Sequence, residues 1–291
     1  MFPLSSKQKG PLLVFLAAVF YSIGGLCIKV IPWGGMAING GRTAIALVVI
    51  GGYLLAIRHR PRLNRWVMLG ALCVCSTNIL FSVANKMTTA ANAIVLQFTA
   101  PIFVMLLSAL FFRRRPARLD LAACAVVLGG IVLCFADSLS GGGLAGDVLA
   151  LLSGLTYAGV FLMNDMPDSD AISSVFWGDV ISAMVGLPFV ALETDFSLVP
   201  MVSLLVLGVF QVAVAYILLT VGLKTTPAVT ASLVSGIEPV LNPILVAVFY
   251  QEHMGALSLV GAAVVILGVV GYNVLRGIQE RRAHAAERTA A

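Results

Sequence analysis

Lys86-Met87-Thr88-Thr89-Ala90 and, 138 residues further on, Lys224-Thr225-Thr226-Pro227-Ala228 share a lysine, a threonine and an alanine in one register. The register holds on both sides of this stretch. Leu69-Gly70 falls on Leu207-Gly208, Ile79-Leu80 on Ile217-Leu218, Pro101 on Pro239 and Phe111 on Phe249. Ala125-Val126-Val127 falls on Ala263-Val264-Val265, and Gly130 on Gly268. Leucine and valine coincide by chance in an apolar chain. Lysine, threonine, proline and glycine at one constant interval do not, so the chain is an internal duplication. At a slightly smaller shift Tyr21 falls on Tyr157 and Arg42 on Asp179.

The duplicated material is too apolar for water. Of 291 residues, 60% are hydrophobic and 11% charged, against about 45–50% and about 25% in soluble domains. The bilayer is therefore the solvent for most of the chain. A spanning helix takes about 20 apolar residues, which leaves short loops and no room for a soluble domain. The apolar runs are too long, and too apolar on every face, for barrel strands.

Ten runs bounded by glycine, proline and charge can be placed. The first five are Pro11–Val30, Gly35–Ile57, Trp66–Asn85, Ala91–Phe112 and Leu119–Ala136. The second five are Ala145–Asn164, Ala171–Leu192, Pro200–Gly222, Ala228–Tyr250 and Ala256–Leu275. A glycine-rich linker, Asp137 to Gly143, divides residues 1–140 from 141–276, and 277–291 form a basic tail expected to be disordered at its end. Lys7 and Lys9 precede the first run as in a signal peptide, but no small-residue cleavage site follows, so it reads as a retained span.

The net charge of +5 does not point to nucleic acid, because the charges sit at helix ends. With the N-terminus inside, fifteen lysines and arginines fall in cytoplasmic segments and two, Lys29 and Lys86, outside. That asymmetry, over ten spans, puts both termini in the cytoplasm. Asp165, Asp168 and Asp170 form an inner loop without basic neighbours, and acidic residues carry little topological weight.

Five spans per half is an odd number, so the halves insert in opposite orientations. The expected fold is all-α and polytopic, with two inverted five-helix repeats around a central cavity. Such repeats recur in secondary transporters, with the solute near the midplane between halves.

Polar groups in hydrocarbon cost several kcal/mol unless satisfied, so each is a candidate for function. Ser235, Glu238 and Asn242 form one stripe on the ninth run, interrupted by Pro239 and Pro243. Glu238 suits a substrate ammonium or a coupling proton; the structural alternative is a glutamate that holds a kink. Asn78, Ser82 and Asn85 share a face of the third run, and the repeat maps Asn78 onto Tyr216, Ser82 onto Thr220 and Gln97 onto Ser235. Neutral amides, hydroxyls and a tyrosine suit a polar solute of low charge; helix–helix glue is the alternative for any one of them. Arg42 and Asp179 are expected to interact, directly or through water, as a structural pair or as a gate or coupling site. Tyr21, Tyr157 and Trp177 either line the cavity or sit at the interface. All five cysteines fall inside apolar runs and read as buried small hydrophobes.

Ten spans in two halves resemble the drug/metabolite transporter superfamily, specifically its EamA-type exporters. Tyr21-Ser22-Ile23-Gly24 with Lys29, Gly41-Arg42, Ile237-Glu238-Pro239-Val240 and Tyr250-Gln251-Glu252 carry the likeness, which runs from Pro11 to Leu275. Tyr21 stands where tryptophan is commoner, and Arg113-Arg114-Arg115 where an acidic residue is frequent. The resemblance implies export, a cavity lined by spans three, four, eight and nine, and substrates such as amino acids, aromatic or otherwise neutral. The size and layout are also similar to those of bacterial aromatic amino-acid exporters of the YddG type.

An intramembrane enzyme is disfavoured, because His59, His253 and His284 lie outside the runs and no HExxH or GxSxG motif occurs. No Walker A loop occurs either, so ATP does not drive the chain directly. No cofactor or metal is expected. The expected partners are a small-molecule substrate, the lipid bilayer and a proton or substrate gradient, acting on a monomer. Cationic drugs or nucleoside-like metabolites are alternative cargoes, and a channel or facilitator is the alternative mechanism.

Overall fold

The computed structural model describes residues 6–136, 143–250 and 255–290, and every regular element among the described residues is helical. The first half holds α1 (Ser6–Tyr21), α2 (Gly24–Val30), α3 (Gly35–Ala56), α4 (Arg65–Met87), α5 (Ala90–Gln97), α6 (Ala100–Phe111) and α7 (Arg118–Cys134). The second holds α8 (Leu144–Leu162), α9 (Ala171–Val190), α10 (Leu198–Val206), α11 (Ala215–Leu223), α12 (Ala228–Val234), α13 (Glu238–Tyr250) and α14 (Ala256–Ala290). A wide π-type stretch, Leu207–Val214, joins α10 to α11, and a 3-10 turn, Ser235–Ile237, joins α12 to α13.

Seven of the helical segments among the described residues are long and apolar enough to cross a bilayer. The other three expected spans are helical but short or interrupted. α1 and α2 are split at Ser22 and Ile23, α7 has 17 residues, and α12 and α13 meet at the turn after Val234. The expected linker and the Gln251-Glu252 pair lie outside the described residues, apart from Gly143, which caps α8.

Local chemistry explains where helices begin. Asn64 caps α4 by accepting from Trp66 N and Val67 N, both at 2.9 Å, and the Thr89 hydroxyl caps α5 by accepting from Asn92 N at 3.1 Å. Pro101 occupies the first turn of α6, where a missing N–H costs nothing. The helix starts recur at one interval: Ala90 and Ala228, Ala100 and Glu238, and Arg118 and Ala256 are each 138 residues apart. The basic tail, expected to be disordered at its end, instead continues α14 as helix to Ala290. Its alanine, glutamate and arginine content favours that outcome.

The main packing partners cross between halves: α3 lies on α9, α7 on α14, α4 on α8, and α1 on α11. α3 and α9 touch backbone to backbone, because a Cβ on Gly40 would stand 2.2 Å from the carbonyl carbon of Gly186. Between α7 and α14, the space beside Gly130 is filled by Val264 and Val265, and that beside Gly268 by Val126 and Val127.

The arginine-rich loops gather at one end. There Arg114 pairs with Asp165 at 2.7 Å, His59 Nε2 meets Asp170 Oδ2 at 2.6 Å, and Asn64 donates to the Asp168 carbonyl at 2.9 Å. A recess of about 660 Å³ opens beside His59, Arg114, Asp170 and Lys224. At the other end the Trp33 indole donates to the Asp195 carbonyl at 2.8 Å, Gly34 N donates to Glu193 Oε1 at 2.8 Å, and the Thr88 hydroxyl donates to Asp147 at 2.6 Å.

Candidate functional site

The buried polar residues meet midway between those two ends. Arg42 on α3 is 1% exposed, and its guanidinium is held by neutral acceptors alone. Nη1 donates to Gln211 Oε1 at 3.1 Å, and Nη2 to Ser82 Oγ at 3.0 Å, with longer contacts of 3.4 Å to Asn39 Oδ1 and the Asn78 carbonyl. Its Nε hydrogen is buried without a partner. Gln211 reaches Arg42 from the π-type stretch between α10 and α11, and such wide turns recur at functional sites.

Tyr216 on α11 joins the halves. Its hydroxyl donates to Asn78 Oδ1 at 3.4 Å, and its ring stands edge-on to that of Tyr21 at 5.5 Å. Asn78 and Tyr216 are the very positions that the repeat makes equivalent. Tyr157 on α8 meets Phe98 edge-on at 6.4 Å and Phe161 at a tilt at 4.6 Å, and lies within electrostatic reach of Glu238. Glu238 is also within electrostatic reach of Tyr21 and Tyr216, and its Oε2 is buried without a hydrogen-bond partner. The Ser235 hydroxyl, one turn earlier, faces the Tyr157 hydroxyl.

Several expectations come out differently. Arg42 and Asp179 do not form an ion pair: both Asp179 oxygens are buried without a hydrogen-bond partner. The physical reason is reach and competition. Arg42 is already occupied by four neutral acceptors, and Asn39, which bonds Arg42, turns its amide nitrogen to Ser182 Oγ at 3.3 Å, one turn beyond Asp179. Asn85, on the same helix face as Asn78 and Ser82, donates to the Phe81 carbonyl of its own helix at 3.1 Å. Thr220 likewise donates to its own helix, at the Ile217 carbonyl. Trp177, for which cavity and interface were both open, lies at the arginine-rich end, where its indole donates to the Arg62 carbonyl at 3.0 Å. Gln97 is buried at the end of α5, with its carbonyl against Gly154, and Asn242 is half-buried on α13.

Three residues of the cluster escape a reading by repeat. Gln211 maps onto an apolar cysteine, Cys73, and so has no polar mirror. Asn39 stands one helical turn before Arg42, a spacing that signals a shared face. Ser182 stands one turn after Asp179 in the same way.

Polar groups of both halves thus meet in the interior of an all-helical, strongly apolar chain. Residues 8–136 match the EamA-like transporter family and residues 144–274 match it again, so the chain belongs to that family. It is 28% identical to the uncharacterized transporter YwfM of Bacillus subtilis, over 89% of this chain and 92% of that one. It is 24% identical to the threonine/homoserine exporter RhtA of Escherichia coli K12, over 90% of each. A solved crystal structure, 18% identical, superposes with a TM-score of 0.77 over 93% of this chain and 99% of its own. That last likeness speaks for the fold alone.

Proposed function

We propose that the protein exports small neutral amino acids, aromatic ones among them, and related metabolites across the bacterial inner membrane by alternating access. The transporter works as a monomer with ten spans, both termini cytoplasmic and the arginine-rich end inside. Its halves, residues 1–140 and 141–276, are inverted repeats, followed by the basic tail.

One observation carries this reading: Asn78 and Tyr216, equivalent under the repeat, hydrogen-bond each other. Equivalent residues that touch lie on the axis relating the two halves, where a midplane solute site is expected. The reciprocal packing of Gly130 on Val264 and Val265, and of Gly268 on Val126 and Val127, supports the same two-fold relation. So do the helix starts that recur at one interval. Neutral amides, hydroxyls and three tyrosines around the axis suit a neutral amino acid, and the similarity to a threonine/homoserine exporter supports that class.

Within this site Glu238, with Ser235, Asn242, Gln97 and Tyr157, is the place where a coupling proton is taken up and released. Asn78, Ser82, Tyr216 and Tyr21 line the solute's path, and Arg42 and Asp179, one from each half, stand beside it. The kink-holding alternative for Glu238 is weakened by the first half, where Ala100 occupies the equivalent position and the same bend forms.

Purified protein in liposomes preloaded with unlabelled phenylalanine should accumulate labelled phenylalanine by counterflow that saturates. A linear, non-saturating leak would identify a channel, and saturable counterflow of nucleosides or cationic drugs alone would reassign the cargo.

A further inference from the structure

An arginine and an aspartate buried together normally close into a bidentate pair, the strongest arrangement open to them. Here they do not. Asn39 links their surroundings, accepting from Arg42 Nη2 at 3.4 Å and donating to Ser182 Oγ, one turn from Asp179, at 3.3 Å, yet no hydrogen bond joins Arg42 to Asp179. Each has atoms left over: Nε of Arg42, both carboxylate oxygens of Asp179, and beside Arg42 the amide nitrogen of Asn78. Asp179 is 0% exposed and Arg42 1% exposed, so water at the surface satisfies neither. An unmatched charge in hydrocarbon costs several kcal/mol, and a buried donor without an acceptor adds to that.

We propose that Arg42 and Asp179 are held apart as a socket for the head group of a zwitterionic α-amino acid. Its carboxylate takes Arg42 and the Asn78 amide, and its ammonium takes the Asp179 oxygens. The leftovers are spare donors on Arg42 and Asn78 and spare acceptor oxygens on Asp179, which matches neither a simple anion nor a simple cation. An α-amino acid supplies an acceptor for each spare donor and N–H donors for each spare oxygen at once. Tyr21 and Tyr216, edge to face beside Arg42, present ring surface for a neutral or aromatic side chain. This assignment rests on the transporter reading above and leaves Glu238 free for the proton.

The test is competition in counterflow with the full-length protein in liposomes, using labelled phenylalanine against two analogues that each lack one pole. These are phenethylamine, without the carboxylate, and 3-phenylpropanoate, without the ammonium. Wild type should be inhibited by unlabelled phenylalanine at concentrations at least about tenfold lower than by either analogue, since a site built for two hydrogen-bonded poles rejects ligands missing one. Asp179→Asn should weaken phenylalanine and narrow its advantage over 3-phenylpropanoate, whereas Arg42→Gln should narrow its advantage over phenethylamine. Where a variant transports poorly, the ligand-induced rise in Tm in detergent reads the same preferences. Phenylalanine transport inhibited equally by either analogue would overturn the socket and leave the transporter standing, as would two folded variants that lose all three ligands alike. Saturable transport of other solutes but of no amino acid would also overturn the socket. Wild type that moves no solute would overturn the transporter reading and the socket with it.

Discussion

The bend in the first half and the bend in the second are built alike and equipped differently. α5 gives way to α6 at Phe98 and Thr99, and α12 to α13 at Ser235–Ile237, with a proline just after each break at Pro101 and Pro239. The backbone solution is the same. The side chains are not: Ala100 begins α6 where Glu238 begins α13, and Gln97 stands where Ser235 does. A carboxylate is therefore not needed for the bend, since one half bends without it. The same contrast holds at Arg42 and Asp179, where one position of the duplicated plan carries opposite charges. Duplication preserved the scaffold, and divergence put distinct chemistry on the two sides of one interior.

The sharpest way to break that comparison is to give the second half the first half's residue. Glu238→Ala should leave the protein folded, with Tm within a few degrees of wild type, because the bend at Ala100 forms without a carboxylate. Glu238→Gln should still exchange substrate for substrate but lose all acceleration by a pH gradient across the liposome. A variant that responds to the gradient like wild type would return Glu238 to a structural role.

A second test asks whether close approach between halves is indispensable. Gly186→Leu drives a side chain into the Gly40 backbone and should cost at least the roughly 1–3 kcal/mol typical of overpacking. Loss of the folded protein's peak in size-exclusion chromatography is the expected result, and a Tm unchanged from wild type would show that α3 and α9 do not pack as described.

Smaller effects mark the periphery. Asn64→Ala removes the cap of α4 and should cost about 1 kcal/mol, read as a modest fall in Tm. Arg114→Ala breaks an exposed ion pair with Asp165, worth about 0.2–1 kcal/mol, and should leave Tm nearly unchanged. If it shifts the rate of counterflow while Tm holds, the pair latches the arginine-rich end during transport.

Most of the architecture was legible in the chain, because the bilayer enforces it. Backbone groups in hydrocarbon must bond internally, so apolar runs of about 20 residues have to be helices. Their order and approximate limits, the first-half run Gly35–Ile57 for example, agree with α3 at Gly35–Ala56. Polar residues stranded in those runs, such as Arg42, Asp179 and Glu238, were legible for the same reason: a costly group stands out against leucine and valine. The duplication was legible through its non-aliphatic matches, and the helix starts follow the same interval.

What the chain left open depends on geometry between segments far apart in sequence. Whether Arg42 reaches Asp179 or Gln211 is decided by the pitch of the π-type stretch and by the crossing of α3 over α9, neither of which has a local signature. Gln211 had no polar mirror, and its part appears only when Leu207–Val214 widens towards Arg42. The meeting of Asn78 with Tyr216 is of the same kind. Composition and periodicity determine that helices form and which groups are expensive to bury, since those are properties of a segment in its solvent. Only packing decides which expensive groups become partners, because a hydrogen bond of about 3 Å is set by the relative position of whole helices.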